Sequence, residues 1–337
     1  MKSFRLFVAL LVSLLFASSD SRGDTAENPF LGDWALTLPG DHTGWLSVEP
    51  DANGIDAEML WGWGSVFKLD GAQLDGHKLL LTRLHQDESK KPDGSTAKTT
   101  LTEIITVTRD GDSLKLVTVT PKADGTGEDR AEFTGKRLPP MPPAPDLSKV
   151  KFGPPVQLFD GDNLDGWRLV EPDAVNGWSA HNGILANTET QEEGKPEKDY
   201  GNLRTVAEFE DFKLHAETRV PKEGNSGIYL RGIYEVQVFD SYGMPLDSHN
   251  MGAIYSRIKP TVNAEKPAGE WQTFDITYVQ RHVTVVLNGT MIIDNQPIYG
   301  PTGGALWPEV DRPGPIYLQG DHTGIEYRNI VLRPVVN

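Results

Sequence analysis

Polar side chains recur at alternate positions of one segment, where they could line a single face of a strand. In IYLRGIYEVQVF, residues 228–239, the side chains of Tyr229, Arg231, Glu235 and Gln237 share one parity. Alternate residues of a strand point to the same side of its sheet, so these four would face together if Gly232 does not shift the register. A solvated surface and a sugar-binding cleft both fit this polar face, and the residues leave the two readings open.

Further groups able to exchange protons or bind metals lie near this segment or far from it in sequence. Glu217 belongs to another alternating run, FKLHAETRVP, and Asp240 follows the polar segment on the parity opposite to Glu235. His322 lies in GDHTG, a peptide that also occurs at residues 40–44, which we interpret as coincidental reuse of a turn-forming sequence. Carboxylates and histidine serve in general acid–base catalysis. A divalent metal bound by Glu235, Asp240 and His322 is a second hypothesis, although no HExxH spacing supports it.

The elements that must position these groups are predicted to be strands. The 337 residues include 34 glycines and 24 prolines, and short alternating runs are separated by turn signals, which is typical of an all-β chain. The absence of cysteine excludes disulfides, thiol catalysis and cysteine-ligated zinc. A net charge of −16 argues against nucleic acid and anionic membranes as partners. A neutral oligosaccharide or glycoside is compatible with this charge.

Two segments divide the chain. Residues 1–23 begin with MKSFRLFVALLVSLLFASS, whose basic start, apolar centre and small-residue end predict a signal peptide, hence a secreted or periplasmic protein with no membrane anchor after its removal. Residues 139–151 form a proline-rich linker, with five prolines in PPMPPAP. We expect residues 28–138 to form a small antiparallel β-barrel or sandwich of six to eight strands. We expect residues 152–337 to form two stacked antiparallel sheets in a jelly roll.

The first domain contains clear hairpin signals. RDGD and ADGTG predict the two turns that join three strands between residues 99 and 138. MLWGWGSVF, residues 59–67, is predicted to be a strand that bends at its glycines. For Trp61 and Trp63 we favour packing in the core over binding a ligand.

The second domain resembles a known family. The segments LFDGDNLDGWRLVEPDAVNGWSAHNGIL, NSGIYLRG, YEVQVFDSYG, MGAIYSRIKPTVNAEKPAGEWQTFDI, LNGTMIIDN and GPIYLQGDHTGIEYRNI occur in that order. Together they resemble the 3-keto-disaccharide hydrolase domain family, over about residues 152–335. The resemblance implies a concanavalin A-like jelly roll, export from a bacterium, and cleavage of the glycosidic bond in 3-keto glycosides or disaccharides.

The implied reaction assigns roles to the candidate residues. A ketone at C3 acidifies the C2 proton, so a base removes it, the C1 substituent leaves by elimination, and water can then add. Arg231 stays charged and suits the enolate oxygen, while Glu235, Asp240 and His322 are candidate bases or acids. The family segment LQ-D-H-G matches here at residues 318–324, except that Thr323 separates His322 from the glycine. The substrate-binding candidates are Asn225, Tyr229, Gln237, Glu217 and Gln319.

Two other functions remain open. An ordinary retaining glycoside hydrolase needs two carboxyl groups about 5–5.5 Å apart, and the strand YEVQVFD supplies such a pair poorly because Gln237 stands two residues after Glu235. A non-catalytic, lectin-like protein would use aromatic platforms, for which Trp167, Trp178 and Trp271 are available, although core packing explains them more simply. Both alternatives would act on unoxidised sugar. The sequence carries no signal for an oligomeric state.

Overall fold

The structure, a computed structural model, describes residues 28–52, 54–90, 96–191, 195–196 and 198–336. Its regular elements within these ranges are all β-strands, so the all-β fold class predicted from the sequence is confirmed. The predicted signal segment, residues 1–23, lies outside the described residues. A search of the described part of the chain finds no helix with the length and apolar character needed to span a membrane.

The N-terminal domain is a single antiparallel sheet of nine strands. Its strands are β1 (Gly32–Leu38), β2 (His42–Asp51), β3 (Gly54–Trp61), β4 (Phe67–Lys68), β5 (Gly71–Asp75), β6 (Lys78–Lys90), β7 (Thr96–Asp110), β8 (Ser113–Pro121) and β9 (Glu128–Arg137). The order across the sheet is β4-β3-β2-β1-β9-β8-β7-β6-β5. The turns predicted at RDGD and ADGTG join β7 to β8 and β8 to β9.

The sheet closes into a barrel through its two shortest strands. β4 pairs with β3, and β5 pairs with β6 at the other end of the strand order. The two residues between them make both connections, because the amide of Leu69 donates to the carbonyl of Ala57 and the amide of Asp70 donates to that of Thr82. β4 and β5 are therefore halves of one bent strand. This explains why nine strands appear where six to eight were expected.

The C-terminal domain contains the remaining strands in two sheets. They are β10 (Lys151–Phe152), β11 (Val156–Gln157), β12 (Trp167–Leu169), β13 (Trp178–His181), β14 (Ile184–Asn187), β15 (Leu203–Thr205), β16 (Phe212–Arg219), β17 (Asn225–Leu230), β18 (Tyr234–Phe239), β19 (Gln272–Val279), β20 (His282–Leu287), β21 (Thr290–Pro297), β22 (Tyr317–Leu318) and β23 (Ile325–Val336). The larger sheet has the order β13-β14-β23-β16-β19-β20-β21, and β10 and β11 also pair with β23. The smaller sheet has the order β12-β15-β22-β17-β18.

The two sheets stack around one apolar core. β16 alternates as its sequence predicts: Phe212, Leu214 and Ala216 are buried, and the residues between them are more exposed. From the smaller sheet, Val236 and Val238 belong to the same core cluster. Burying apolar surface stabilises the fold by roughly 25 cal/mol per Å². The core thus fixes which face of β18 is left for Glu235 and Gln237.

An Asn-Gly turn joins two neighbouring strands of the larger sheet. Asn288 and Gly289 both have positive φ, 52° and 81°, and they join β20 to β21. This is the turn that an Asn-Gly pair predicts, because both central residues of a type I′ turn need positive φ.

The two domains pack against each other. Arg257 of the sandwich lies over the ring of Trp45 in the barrel, 4.1 Å from the ring centroid. The connecting segment is also held by the sandwich, since Arg281 donates to the carbonyl of Pro139 (2.9 Å) and Asn295 to that of Pro145 (3.1 Å). The core cluster of the sandwich includes Ala35, Trp45, Leu60 and Leu138 from the first part of the chain. The proline-rich segment is thus held against the sandwich by hydrogen bonds.

Candidate active site

A small cavity lies on the face of the smaller sheet that points away from the core. Its volume is about 140 Å³, below the roughly 300–1,000 Å³ of pockets that enclose a drug-sized ligand. It has room for about one sugar ring. Its lining residues come from β17, β18, β22, three loops of the sandwich and one loop of the barrel: Trp63, Gly64, Asn225, Tyr229, Glu235, Gln237, Tyr255, Gly303, Gly304, Tyr317, Gln319, Asp321 and His322.

Glu235 is the buried carboxyl group of this cavity. Only 4% of the residue is exposed, because β18 lies between β17 and a covering loop whose Tyr255 amide donates to the Glu235 carbonyl. Burial raises the pKa of Glu235 to about 8; a hydrogen bond with Tyr229 opposes this rise and the nearby charge of Asp321 adds to it. A carboxyl group with a pKa near the working pH suits proton transfer.

The neighbouring strand leaves space for this carboxyl group. Gly227 on β17 faces Gln237 on β18, and a Cβ atom at Gly227 would lie 2.4 Å from Oε1 of Glu235. The Gln237 amide, with its nitrogen turned toward the available acceptors, donates to the Ser226 carbonyl (3.0 Å) and to Oε1 of Glu235 (3.2 Å). Gly227 and Gln237 therefore fix the position of the Glu235 side chain.

A second carboxyl group, that of Asp321, holds the cavity histidine. Burial alone would raise the pKa of Asp321, but hydrogen bonds from His322 and Asn202 hold it below its usual value. An ionised carboxylate only accepts, so Nδ1 of His322 carries the proton that it donates to Oδ1 of Asp321 (2.6 Å). This bond raises the pKa of His322 above its ordinary value, against the effect of burial. The Asp321 carboxylate therefore favours the protonated form of His322.

Thr323, the residue that departs from the family pattern, fixes the loop that carries this pair. Its hydroxyl accepts from the Asn225 amide (2.8 Å) and donates to the Asn225 carbonyl (2.9 Å). The loop is thereby attached to the first residue of β17. The extra residue before Gly324 has a structural role at the cavity edge.

Two tyrosines form an aromatic wall. The rings of Tyr229 and Tyr317 stack with centroids 4.1 Å apart and planes 13° apart, and the Tyr229 hydroxyl donates to the carbonyl of Gly303 (2.8 Å). Burial raises the pKa of both hydroxyls well above the usual tyrosine value. Beside them, Oε1 of Gln319 is buried with no partner among the described residues. An unpaired buried polar atom is costly, so Gln319 is a natural contact for a substrate hydroxyl.

Six of the residues proposed from the sequence line this cavity together. They are Asn225, Tyr229, Glu235, Gln237, Gln319 and His322. Arg231 is not among the lining residues. Its guanidinium donates to the Tyr278 hydroxyl (3.1 Å) and to the Arg312 carbonyl. The parity argument fails at Arg231 because β17 ends at Leu230 and Arg231 adopts positive φ (56°) in the hairpin turn.

Asp240 and Glu217 also lie away from the cavity. Asp240 follows the end of β18, and its carboxylate accepts from the backbone amide of Glu223 (2.9 Å). Glu217 is on β16 in the other sheet, where it accepts from Arg328 (2.6 and 2.8 Å) and Asn329 (2.7 Å). The three proposed metal ligands are therefore not brought together. Across the described residues, no group of three or more metal-binding side chains is placed to bind an ion.

The parity argument also missed lining residues. Asp321 and Tyr317 are in the segment GPIYLQGDHTG, next to residues that were proposed, and the short β22 brings them beside β17. Tyr255 comes from a loop whose position no local pattern indicates. Trp63 comes from the barrel, and its 64% exposure contradicts the expected core packing. Trp61 does pack as expected, edge to face against Phe133 with ring centroids 5.1 Å apart.

A larger cleft of about 710 Å³ lies between the domains, but we interpret its polar groups as holding the two domains together. Its main cation, Arg257, donates to the Pro301 carbonyl (2.6 and 2.9 Å) and covers Trp45. Burial lowers the pKa of Arg257 to about 10 and raises that of Asp33. No residue proposed from the sequence lines this cleft. The smaller cavity combines a buried acid, a histidine whose pKa is raised, and an unpaired amide oxygen, and we assign it as the candidate active site.

All of the cavity's lining residues except Trp63 and Gly64 lie within a recognisable domain. The pattern of the 3-keto-alpha-glucoside-1,2-lyase-like domain matches residues 154–333, more than half of the chain. The chain belongs to this family. The resemblance found from the sequence is therefore confirmed.

Individual relatives are more distant. The 3-keto-disaccharide hydrolase of Bacteroides thetaiotaomicron is 29% identical over an alignment of 143 residues, and the match covers 34% of this chain and 49% of that protein. The chain thus spans about half the length of that relative. A crystal structure from Parabacteroides distasonis, provisionally named a glycosyl hydrolase, is 31% identical and covers 59% of this chain and 94% of its own, with a TM-score of 0.45. A second structure from that organism, named in the same way, is 18% identical over 54% of this chain and 94% of its own, with a TM-score of 0.44.

Proposed function

We propose that the protein cleaves the glycosidic bond of 3-keto glycosides, with Glu235 as the base that removes the C2 proton. The observation that supports this role is the burial of Glu235, which raises its pKa to about 8 in a cavity the size of one sugar ring. At pH 7 about one molecule in ten carries the ionised form. That form is a stronger base than an ordinary carboxylate, and an acidic C–H bond next to a ketone requires one.

The other cavity groups fit the remaining steps. As Glu235 takes the C2 proton, the electron pair moves toward the C3 oxygen, where the amides of Asn225 and Gln319 can donate. The C1–O bond then breaks, and His322, whose pKa is raised by its bond to Asp321, gives a proton to the leaving oxygen. This leaves a double bond between C1 and C2. Addition of water across it places OH on C1 and returns a proton to C2, so that the net reaction is hydrolysis.

An ordinary retaining glycosidase is the second candidate, and one observation favours it. Glu235 and Asp321 line the same cavity with pKa values shifted in opposite directions. A protonated carboxyl group beside an ionised one is the arrangement that retaining enzymes use as acid and nucleophile. The strand parity missed this pair because Asp321 comes from a distant loop.

The decisive experiment follows the C2 position. The protein is incubated in D₂O with a 3-keto disaccharide, and in parallel with its unoxidised parent, and the products are analysed by mass spectrometry and NMR. Cleavage of the keto sugar alone, with one deuterium at C2 of the hydrated product, is the expected result. Cleavage of the parent without deuterium would support the retaining glycosidase instead. If neither sugar is cut, both enzymatic proposals fail and a lectin-like role gains support.

Matched variants connect the result to the site. Glu235→Gln removes the proposed base and should lower kcat by about 10²–10⁴. Asp240→Asn changes a carboxyl group outside the cavity and should leave kcat unchanged. Adding a chelator tests the metal hypothesis in the same assay, because loss of turnover would require an ion. We propose export from the cell on the signal pattern of residues 1–23, which N-terminal sequencing of the mature protein would test.

A further inference from the structure

We infer that Trp63 of the barrel forms the stacking platform of a second sugar subsite, which binds the leaving-group sugar of the substrate. The inference rests on the proposed function and extends it, because the barrel lies outside the matched family domain, residues 154–333. It assigns the N-terminal domain a part in choosing the substrate.

The size of the cavity requires a subsite outside it. With a volume of about 140 Å³, the cavity holds one sugar ring and not two. When the ring that carries the ketone is next to Glu235, a second sugar must extend through the opening. The groups at that opening then determine which leaving groups bind.

Trp63 is suitably exposed at this opening. It lines the cavity while 64% of its surface remains exposed, the highest exposure of any large hydrophobic residue in the described chain. His42 contacts it edge on, with ring centroids 5.4 Å apart and an interplanar angle of 62°. One side of the indole is thus supported and the rest is free. Exposed indole faces can stack on the C–H surface of sugars. Trp63 combines such a face with a place in the lining of the polar cavity.

The loop that carries Trp63 is seated against the sandwich by backbone contacts. The amide of Gly304 donates to the Gly62 carbonyl (3.3 Å). A Cβ atom at Gly303 would lie 2.2 Å from the Gly64 carbonyl oxygen, so only glycine allows this approach. The amide of Val66 donates to Oγ of Ser256 (2.8 Å). The barrel loop is therefore built into the cavity wall.

A series of side-chain hydrogen bonds also connects the barrel loop to the sandwich. Oγ of Ser65 lies 2.8 Å from Nε2 of His249, and Nδ1 of His249 lies 2.5 Å from Oδ1 of Asp247. Serine hydrolases use a Ser–His–Asp chain, and in the α/β-hydrolases among them the amide of the residue after the serine helps to bind the oxyanion. Here the next amide, from Val66, already donates to Ser256. We therefore interpret the three residues as a clamp for the Trp63 loop.

The test compares leaving groups of different size. Trp63→Ala is assayed on a 3-keto disaccharide and on a methyl 3-keto glycoside, which fills the cavity but lacks a second sugar. We expect kcat/KM on the disaccharide to fall about tenfold, as about 1.4 kcal/mol of lost stacking would give. We expect less than a twofold change on the methyl glycoside. Trp63→Phe should restore most of the loss, and Tyr242→Ala, which removes an exposed aromatic residue outside the cavity, should change neither value.

Binding provides a second measurement that does not need turnover. In the Glu235→Gln background, the Trp63 indole should report disaccharide binding by a change in fluorescence that the Trp63→Ala variant lacks. Equal losses on both substrates would overturn the inference, since Trp63 would then only support the cavity wall, and so would no loss on either. If the wild-type protein turns over neither sugar, the proposed function fails. The binding titration, repeated with unoxidised disaccharide, then decides the subsite by itself.

Discussion

The carboxyl group of Glu235 lies over the backbone of Gly227 on the adjacent strand, so closely that a Cβ atom there would be 2.4 Å from Oε1. Both residues are buried, and neither is in a turn. Gly227 is therefore required by the position of the Glu235 side chain and not by the conformation of the backbone, since its φ is not positive.

Gly227→Ala should displace Glu235 and disable the enzyme. We expect kcat to fall by about 10²–10⁴, the contribution of a positioned general base, while the protein stays folded because a single methyl group is added at the cavity edge. Gly71→Ala in β5 is the control, because a Cβ there would meet Thr82 at an ordinary 3.5 Å. Retained activity in Gly227→Ala would show that the position of Glu235 is not critical.

The buried acid should also make stability depend on pH. The pKa of Glu235 rises from 4.5 to about 8 on folding, so its proton stabilises the folded state fully below pH 4.5, and this stabilisation is lost as the pH rises through about 8. Glutamine cannot ionise, so Glu235→Gln should gain several kcal/mol relative to wild type between pH 5 and 9. Urea unfolding at both pH values measures the gain. A difference that does not change with pH would mean that Glu235 does not titrate in this range.

Removing the charge of Asp321 should move the pH profile of activity. Asp321 raises the pKa of Glu235 by like-charge repulsion and that of His322 by its hydrogen bond. In Asp321→Asn both limbs of the kcat/KM profile should therefore shift to lower pH. The maximum should fall as well, because His322 is charged over a smaller range. Unmoved limbs would separate Asp321 from the catalytic groups.

We expect Arg231 to stabilise the fold and not to take part in catalysis. Its buried guanidinium holds the Tyr278 hydroxyl and the Arg312 carbonyl, so Arg231→Ala leaves buried groups unpaired and should cost about 3 kcal/mol of unfolding free energy. In the protein that remains folded, kcat/KM should stay within a few fold of wild type. A loss of a hundredfold without loss of stability would restore the enolate-binding role that the sequence suggested.

Local patterns predicted the elements of this fold and part of its site. The alternation in β16 and the Asn288–Gly289 turn depend on neighbouring residues alone, and both appear where expected. The polar parity correctly grouped Tyr229, Glu235 and Gln237. It failed at Arg231, because one residue with positive φ interrupts the two-residue period of a strand, and the sequence around it does not reveal that conformation.

Long-range contacts set the rest of the site, and no local pattern encodes them. Asp321 reaches Glu235 only because the two-residue strand β22 pairs with β17. The two GDHTG peptides show the same limit. His42 follows a hairpin turn in the barrel and contacts Trp63, whereas His322 lies in a loop of the sandwich. Trp63 and His322 line the same cavity, and His42 is not among its lining residues. Their common sequence predicts a turn and does not show that only the second copy contributes a histidine to the cavity.

Main-chain atoms next to Trp63 make two of the contacts between the barrel loop and the sandwich, because Gly303 lies against Gly64 and the amide of Gly304 donates to the carbonyl of Gly62. These main-chain contacts do not depend on which side chain residue 63 carries. The residue at position 63 can therefore be substituted while the loop keeps its position, so substitutions there could change which leaving group the protein prefers. A library of variants at position 63 alone would test preferences for other leaving groups, while the residues proposed to break the bond stay unchanged.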